Sequence, residues 1–266
     1  MRRHRFLILV ALILLGATPA GAEAPSWSFS SSVDYSVGDY GTRRDTKILS
    51  IPFTLGVSPL DRLTLSLTVP YIRQTTQNAV VTAGGVAARN EKSKGKLEQP
   101  ATATTEEGVG DALLKGSVVL VKERDVVPEV TPYVKIKFPT ADSDRGLGTG
   151  EFDETVGVGL AKRLVERLFG YVSLSYTFVG DPPGSDLRNS FGWSLGAAYT
   201  ILVSLTVFAF LDGATAISPG QDDPLAARVG AEFKLTKALR LTGAVARGFT
   251  DGAADWEVAA GLALGF

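Results

Sequence analysis

The sequence predicts an all-β protein: a single-chain transmembrane antiparallel β-barrel of about twelve strands behind an N-terminal signal peptide that is cleaved off. Three observations predict it. Apolar residues recur at every second position through most of the chain, the connections between those segments alternate short and long, and the N-terminus is basic and then apolar. A period of two describes strands with two different environments, and about ten such residues at a tilt cross a bilayer.

Arg2, Arg3 and Arg5 precede an apolar run from Phe6 to Leu15, and Ala20-Gly21-Ala22 supplies the small residues a signal peptidase accepts. A retained membrane helix needs about twenty apolar residues, and this run falls short of that before Pro19. The expected division is residues 1–22 as signal peptide and 23–266 as an outer-membrane barrel. Removing the three arginines takes the 27 Lys and Arg to 24 against 28 Asp and Glu, a net charge of −4 with no overall pull toward nucleic acid.

The chain has no cysteine, so no disulfide holds it together in an oxidising compartment. Its single histidine, His4, lies in the expected leader. A mature chain without His or Cys cannot build a Ser-His-Asp triad, a thiol nucleophile or a His/Cys metal site. No catalytic residue, cofactor or metal is expected, and a lipid-modifying barrel enzyme, which usually relies on a His-containing site, is disfavoured.

The strands follow in order. Trp27, Phe29, Ser31, Val33 and Tyr35 alternate with serines and Asp34; Leu49, Ile51, Phe53, Leu55 and Val57 form the next apolar face; Leu63, Leu65, Leu67, Val69 and Tyr71 the third. Ala112, Leu114, Val118 and Leu120 mark the fourth. In the fifth, Val130, Pro132, Val134, Ile136 and Phe138 oppose Tyr133, Lys135 and Lys137. Val156, Val158 and Leu160 follow, then Val172, Leu174, Tyr176 and Phe178, then Phe191, Trp193, Leu195, Ala197 and Tyr199. A ninth segment spans Leu205 to Asp212. Ala227, Val229, Ala231, Phe233 and Leu235 oppose Arg228, Glu232 and Lys234, and Leu239, Leu241 and Val245 lead toward the last strand.

That last strand carries Trp256, Val258, Ala260, Leu262, Leu264 and Phe266 on one face and small or acidic residues on the other. Bacterial outer-membrane barrels usually end on such a face with a terminal Phe, so Trp256, Leu262, Leu264 and Phe266 are the expected signal to the assembly machinery. The count of twelve is even, as single-chain bacterial barrels use. Between Ser190 and Leu211 no residue is charged, long enough for a membrane helix, but Gly192, Ser194, Gly196, Thr200, Ser204 and Thr206 dilute it. Two strands joined by a turn at Thr200 to Ser204 suit its aromatic and β-branched residues better.

Short turns are expected at Ser58 to Asp61, Lys122 to Asp125, Leu164 to Arg167, Thr200 to Ser204 and Thr236 to Ala238. Longer connections fall between them at Val37 to Thr46, Arg73 to Glu107, Thr140 to Phe152, Asp181 to Leu187 and Gly213 to Pro224, ending with a tight hairpin near Asp251-Gly252. A membrane barrel with short periplasmic turns and long outer loops produces that alternation; a soluble sandwich has no reason to keep it. It also places Tyr71, Phe138, Phe178, Phe191, Phe249 and Trp256 at one rim and Trp27, Tyr199 and Phe266 at the other, the two girdles expected at lipid headgroups.

With the apolar faces toward lipid, Asp111, Lys115, Lys135, Lys137, Asp153, Arg228, Glu232, Lys234, Arg240, Asp255 and Glu257 point into the lumen. Their mixed sign suits internal salt bridges as readily as a substrate path. Gly157, Gly159, Gly196, Gly230, Gly261 and Gly265 point inward too and, as small linings, are expected to leave room. Eight strands enclose a side-chain-filled interior and sixteen a channel, so twelve implies a narrow or gated pore.

Two loop motifs have plain readings. Gly146-Leu147-Gly148-Thr149-Gly150 lacks the following helix a phosphate loop needs and reads as a flexible turn. Lys92, Lys94 and Lys96 form a basic run within Glu91 to Lys96 that reads as a solvated loop, contact with lipopolysaccharide phosphate being the disfavoured alternative.

Three stretches resemble the outer-membrane barrel family labelled the transporter of the phenol-degradation meta-pathway: Glu107-Gly108-Val109-Gly110-Asp111, Lys137-Phe138-Pro139-Thr140, and Gly146-Leu147-Gly148-Thr149-Gly150 before Asp153. Ala141 stands where family members often have Gly. The resemblance implies a barrel that passes small hydrophobic or aromatic compounds. The sequence thus points to a passive, selective channel for small organic solutes in the outer membrane, with the 73–107 loop as a selectivity element. Its partners would be lipid, lipopolysaccharide, the assembly machinery and the solute. A structural or surface-binding barrel with a plugged lumen is the alternative.

Overall fold

A computed structural model describes residues 26–40, 45–76, 80–83, 86–89 and 103–266. The expected signal peptide, most of the 73–107 loop and the basic run at 91–96 lie outside the described residues. Fifteen strands are present: β1 (Ser26–Gly38), β2 (Thr46–Leu60), β3 (Leu63–Thr76), β4 (Val80–Ala83), β5 (Val86–Arg89), β6 (Thr104–Val109), β7 (Ala112–Val118) and β8 (Glu129–Phe138). The second half supplies β9 (Asp153–Val165), β10 (Leu168–Phe178), β11 (Ser190–Leu202), β12 (Leu205–Ala214), β13 (Leu225–Lys234), β14 (Leu239–Gly248) and β15 (Trp256–Gly265).

All but β4 and β5 form one antiparallel sheet that closes on itself. The seam pairs β1 with β15 from Ser28 opposite Gly265 to Val37 opposite Trp256, and Trp27 and Phe266 exchange backbone hydrogen bonds at 2.8 and 3.0 Å. Closure leaves no strand edge in hydrocarbon, where an unpaired amide costs several kcal/mol, about 4–8 on alkane-transfer scales. The hairpin β4–β5 forms a separate two-stranded sheet. No described helix is long and apolar enough to cross a membrane. The uncharged 190–211 stretch is β11 and β12, reversing at Val203-Ser204.

Twelve staves follow because β6 and β7 together make one. The lower half of β3 pairs with β7 (Leu67 opposite Leu114) and its upper half with β6 (Tyr71 opposite Val109), a register slip of one residue at Gly110-Asp111. Such a bulge puts two consecutive residues on one face. Gly110 fits because a Cβ there would lie 2.5 Å from the Ile72 Cδ1 and 2.9 Å from the Pro70 Cγ, while its N–H still reaches the Pro70 carbonyl at 2.8 Å.

Three boundaries differ from expectation. The 73–107 connection is shorter, because β3 runs to Thr76 and β6 begins at Thr104. Threonine-rich tails carry no apolar face to announce them, yet they pair, with Arg73 Nε and Glu107 Oε2 3.6 Å apart across the strands. The turn expected at Lys122 to Asp125 reverses at Asp125-Val126, where Arg124 and Val127 exchange hydrogen bonds and Asp125 adopts a φ of 27°. Asp tolerates that left-handed backbone, and Val126 is left exposed below the sheet. The last connection is an open loop over 249–255 rather than a tight hairpin, since Gly252 is wedged against the Asp222 carbonyl of a neighbouring loop.

Large apolar side chains face outward, including Phe53, Leu55, Val156, Leu195, Val229, Val258 and Leu262. The girdle aromatics Tyr71, Phe178, Phe191, Phe249 and Trp256 are exposed at one end and Trp27, Tyr199 and Phe266 at the other. At the short-turn end Glu123 ties the β7–β8 connection to β9, accepting from Lys162 Nζ and the Arg163 N–H, both at 2.8 Å. Those hydrogen bonds, the Lys162 one first, hold its carboxyl below the ordinary carboxylate range. A carboxyl whose folded pKa is depressed stabilises at neutral pH, and that contribution is lost as the pH falls through the lowered value. Glu123→Gln is therefore expected to lower the midpoint of urea unfolding at pH 7 but not at pH 2.

Candidate functional site: the barrel lumen

Alternate residues of each strand line the interior, and ion pairs and rings fill much of it. The three glycine- and lysine-bearing motifs of the sequence meet at one place. Lys137 Nζ lies 3.2 Å from Asp111 Oδ2, 3.0 Å from Asp153 Oδ2 and 2.8 Å from Thr149 Oγ1, and all three charged side chains are buried. An ammonium has three donors, and here each has an acceptor. Asp111 Oδ1 accepts from the Ala141 N–H at 2.9 Å and Asp153 Oδ1 from the Gly180 N–H at 2.9 Å. The bulge is what turns Asp111 inward to join them.

This cluster pins the 139–152 loop into the lumen, so Gly146 to Gly150 is not a free outer turn. Gly146 and Gly150 hold φ values of 73° and 77° that other residues adopt only with strain. A Cβ on Gly148 would meet the Asp111 carboxylate at 2.8 Å, and Leu147 is buried, packed where a Cβ on Gly108 would strike it at 2.9 Å. The motif is a constriction because its glycines let backbone approach the buried charges. Leu147 and Thr149 are therefore lumen elements that the turn reading missed.

Three of the six inward glycines do not leave room, because rings occupy it; a Cβ on Gly261 would meet Ser31 and Ser32, one on Gly159 only the Thr131 carbonyl at 3.7 Å, and one on Gly265 open space. A Cβ on Gly157 would meet the Tyr133 ring and its hydroxyl, one on Gly196 the Phe210 ring, and one on Gly230 the Phe208 ring at 2.5 Å. Tyr171, Phe208 and Phe210 form a chain, each neighbouring pair with centroids 5.9 Å apart. Two cations lie on this belt: Lys115 Nζ is 4.6 Å from the Tyr133 centroid, and the Arg228 guanidinium carbon is 5.1 Å from that of Phe210. Arg228 also pairs with Asp212, Nη2 to Oδ2 at 3.1 Å, whose other oxygen accepts from Ser194 Oγ at 2.6 Å.

Two cavities are lined by described residues. One, of about 470 Å³, is bounded by Asp34, Glu257 and Asp212 with Tyr40 above; the other, of about 240 Å³, by Leu113, Ile72, Leu147 and Lys135 beside the Lys137 cluster. Ile48 and Ser50 of β2 border both. The 215–224 loop contributes Pro224 to the wall of the larger, buries its own Ile217 completely and donates from Gln221 Nε2 to the carbonyl of Tyr40, another lining residue, at 3.4 Å.

Of the residues expected inward, Asp111, Lys137 and Asp153 form the cluster, Lys135 and Glu257 border the cavities, and Lys115 and Arg228 stack on rings. Glu232 stands opposite Thr206 and Thr242 lower on the same face as Arg228. Lys234 and Arg240 stand opposite each other at the short-turn end, both exposed. Asp255 departs from expectation. It precedes β15, is more than half exposed at the rim, and lies 3.7 Å from Arg247, which stacks on the outward Trp256. Removing one partner of a buried ionic cluster costs about 3–5 kcal/mol, because two carboxylates would lose their counter-charge. Lys137→Met is expected to release the loop, and trypsin should then cut after Arg145 in a barrel that remains folded, a cut absent from the wild type.

The described fold is that of outer-membrane barrels. An outer membrane channel of Pseudomonas putida F1 superposes with a TM-score of 0.64 at 14% identity, covering 94% of this chain and 97% of that one. The NanC porin gives 0.58 at 9% identity over 89% and 98%, and the translocator domain of the autotransporter NalP of Neisseria meningitidis 0.53 at 10% over 99% and 94%. No curated protein matches the chain in sequence. The family model described as putative MetA-pathway of phenol degradation matches residues 68–266, more than half of the chain, and the chain belongs to that family.

Proposed function

We propose that this protein is a passive, selective channel for small organic compounds, resident in the outer membrane and exported by cleavage of residues 1–22. The observation that carries the reading is the pair of cavities inside a closed barrel, which share Ile48 and Ser50 as lining residues. The lumen face suits hydrophobic and aromatic solutes: Leu113, Ile72 and Leu147 line the smaller cavity, and a ring belt of Tyr133, Tyr171, Phe208 and Phe210 lies on the inner face of other strands. Membership in a family described by phenol degradation supports the same class. The lumen charges Asp111, Lys115, Lys135, Lys137, Asp153, Arg228, Glu232, Lys234, Arg240 and Glu257 would set selectivity, with Asp255 at the rim. Trp256, Leu262, Leu264 and Phe266 would address the strand to the assembly machinery.

A second reading, a structural or surface-binding barrel, draws support from the inward 139–152 loop and from the 215–224 loop, whose Ile217 is fully buried. Planar-bilayer recordings separate the two. A channel gives discrete conductance steps, and Phe210→Ala, which removes a ring from the wall, should raise the step size. A plugged barrel conducts in neither form, and deleting it from cells weakens the envelope without changing solute uptake.

A further inference from the structure

Lys135 lies two residues before Lys137 on the same face, with a different environment. It borders the smaller cavity, yet it forms no hydrogen bond or ion pair with any described residue. The two nearby carboxylates, Asp111 and Asp153, each give one oxygen to Lys137 and the other to a backbone N–H. The residue directly opposite Lys135 is another cation, Lys115, whose ammonium lies on the Tyr133 ring. Like charges directly opposite on a sheet repel, and the carboxylate whose charge reaches Lys135, Asp153, is already in contact with Lys137. Lys234 and Arg240 share that register relation, but both stand exposed at the open end, where water screens them.

One side of the cavity is apolar: Pro52 and Pro70 stand directly opposite each other and have no N–H to satisfy, and Ile72, Leu113 and Leu147 lie with them. Ser50, Thr68, Gln74 and Thr155 add neutral polar groups to the lining, and its two carboxylates, Asp111 and Asp153, are those paired with Lys137. A cavity of about 240 Å³ takes one ring rather than an extended chain. A phenol is neutral at pH 7, since its pKa is about 10, so the ring-bearing acid that is already an anion there is a carboxylic one.

We infer that Lys135 and the apolar wall formed by Pro52, Pro70, Ile72, Leu113 and Leu147 are a binding subsite for a single-ring aromatic carboxylate. The inference deepens the channel reading, on which it rests for its purpose, by naming a solute class. Its test reads binding rather than flux, so failure of conduction and failure of the subsite are distinguishable.

The experiment is a fluorine NMR titration of 4-fluorobenzoate and 4-fluorobenzyl alcohol into the full mature barrel in non-ionic micelles, with empty micelles as the partition reference. A heat-dependent gel shift checks that each variant is folded. Saturable binding of the carboxylate, weakened about tenfold or more by Lys135→Gln, kept by Lys135→Arg and unchanged by Lys237→Gln in a distant turn, is the expected result. The alcohol should show no saturable binding. The subsite is overturned if the folded wild type does not bind the acid saturably, if Lys135→Gln binds it as the wild type does, or if the alcohol binds as tightly as the acid.

Discussion

A backbone amide inside hydrocarbon has no water to turn to, and every other feature of this molecule sits within that constraint. It is met by a ring of twelve staves whose last strand returns to its first, with Trp27 and Phe266 bonded backbone to backbone at the seam. Closure then fixes which face of each strand meets lipid and which meets the lumen. The outer face takes Val, Leu and Phe; the inner face inherits all that cannot face lipid, and its charges must find one another.

The inner face solves its own packing problem by contrast of size. Rings lie on glycines: Tyr133 against Gly157, Phe210 against Gly196, Phe208 against Gly230. Without a Cβ beneath it, an aromatic ring can lie flat on the sheet, which thickens the wall without crossing the lumen. Lysine and arginine then settle on two of those rings, leaving fewer charges in need of carboxylates. The Lys137 cluster works differently, because its acceptors come from two staves and an inward loop and use up its donors. The contrast between Lys137 and its neighbour Lys135 is thus one of supply: the carboxylates are already committed.

The barrel itself was legible in the sequence because lipid imposes a strict period of two, and strands such as Val130 to Phe138 or Trp256 to Phe266 show it without interruption. The lumen was legible only where charge marked the inward phase. Segment 205–214 alternates two apolar sets, Leu205, Val207, Ala209 and Leu211 against Phe208 and Phe210, so hydrophobicity alone could not choose between them. Asp212, in phase with Phe210, was the available signal. The one-residue slip at Gly110-Asp111 was hidden because it inverts the phase between β6 and β7, and the threonine-rich tails around it have no apolar face to invert. The inward fold of Gly146 to Gly150 depends on buried acceptors far along the chain, which no local pattern records.

The Lys137 cluster also bears on the order of assembly. All of its members fall between residues 111 and 153, on staves that are consecutive in the chain, whereas the seam joins residue 27 to residue 266. Contacts between near neighbours in sequence cost little loop-closure entropy and form early; contacts between chain ends form late. The constriction therefore belongs to a locally folded unit that is complete before the ring shuts. Any solute route through this protein is narrowed from the moment the lumen first exists, rather than by a loop that falls into a finished pore.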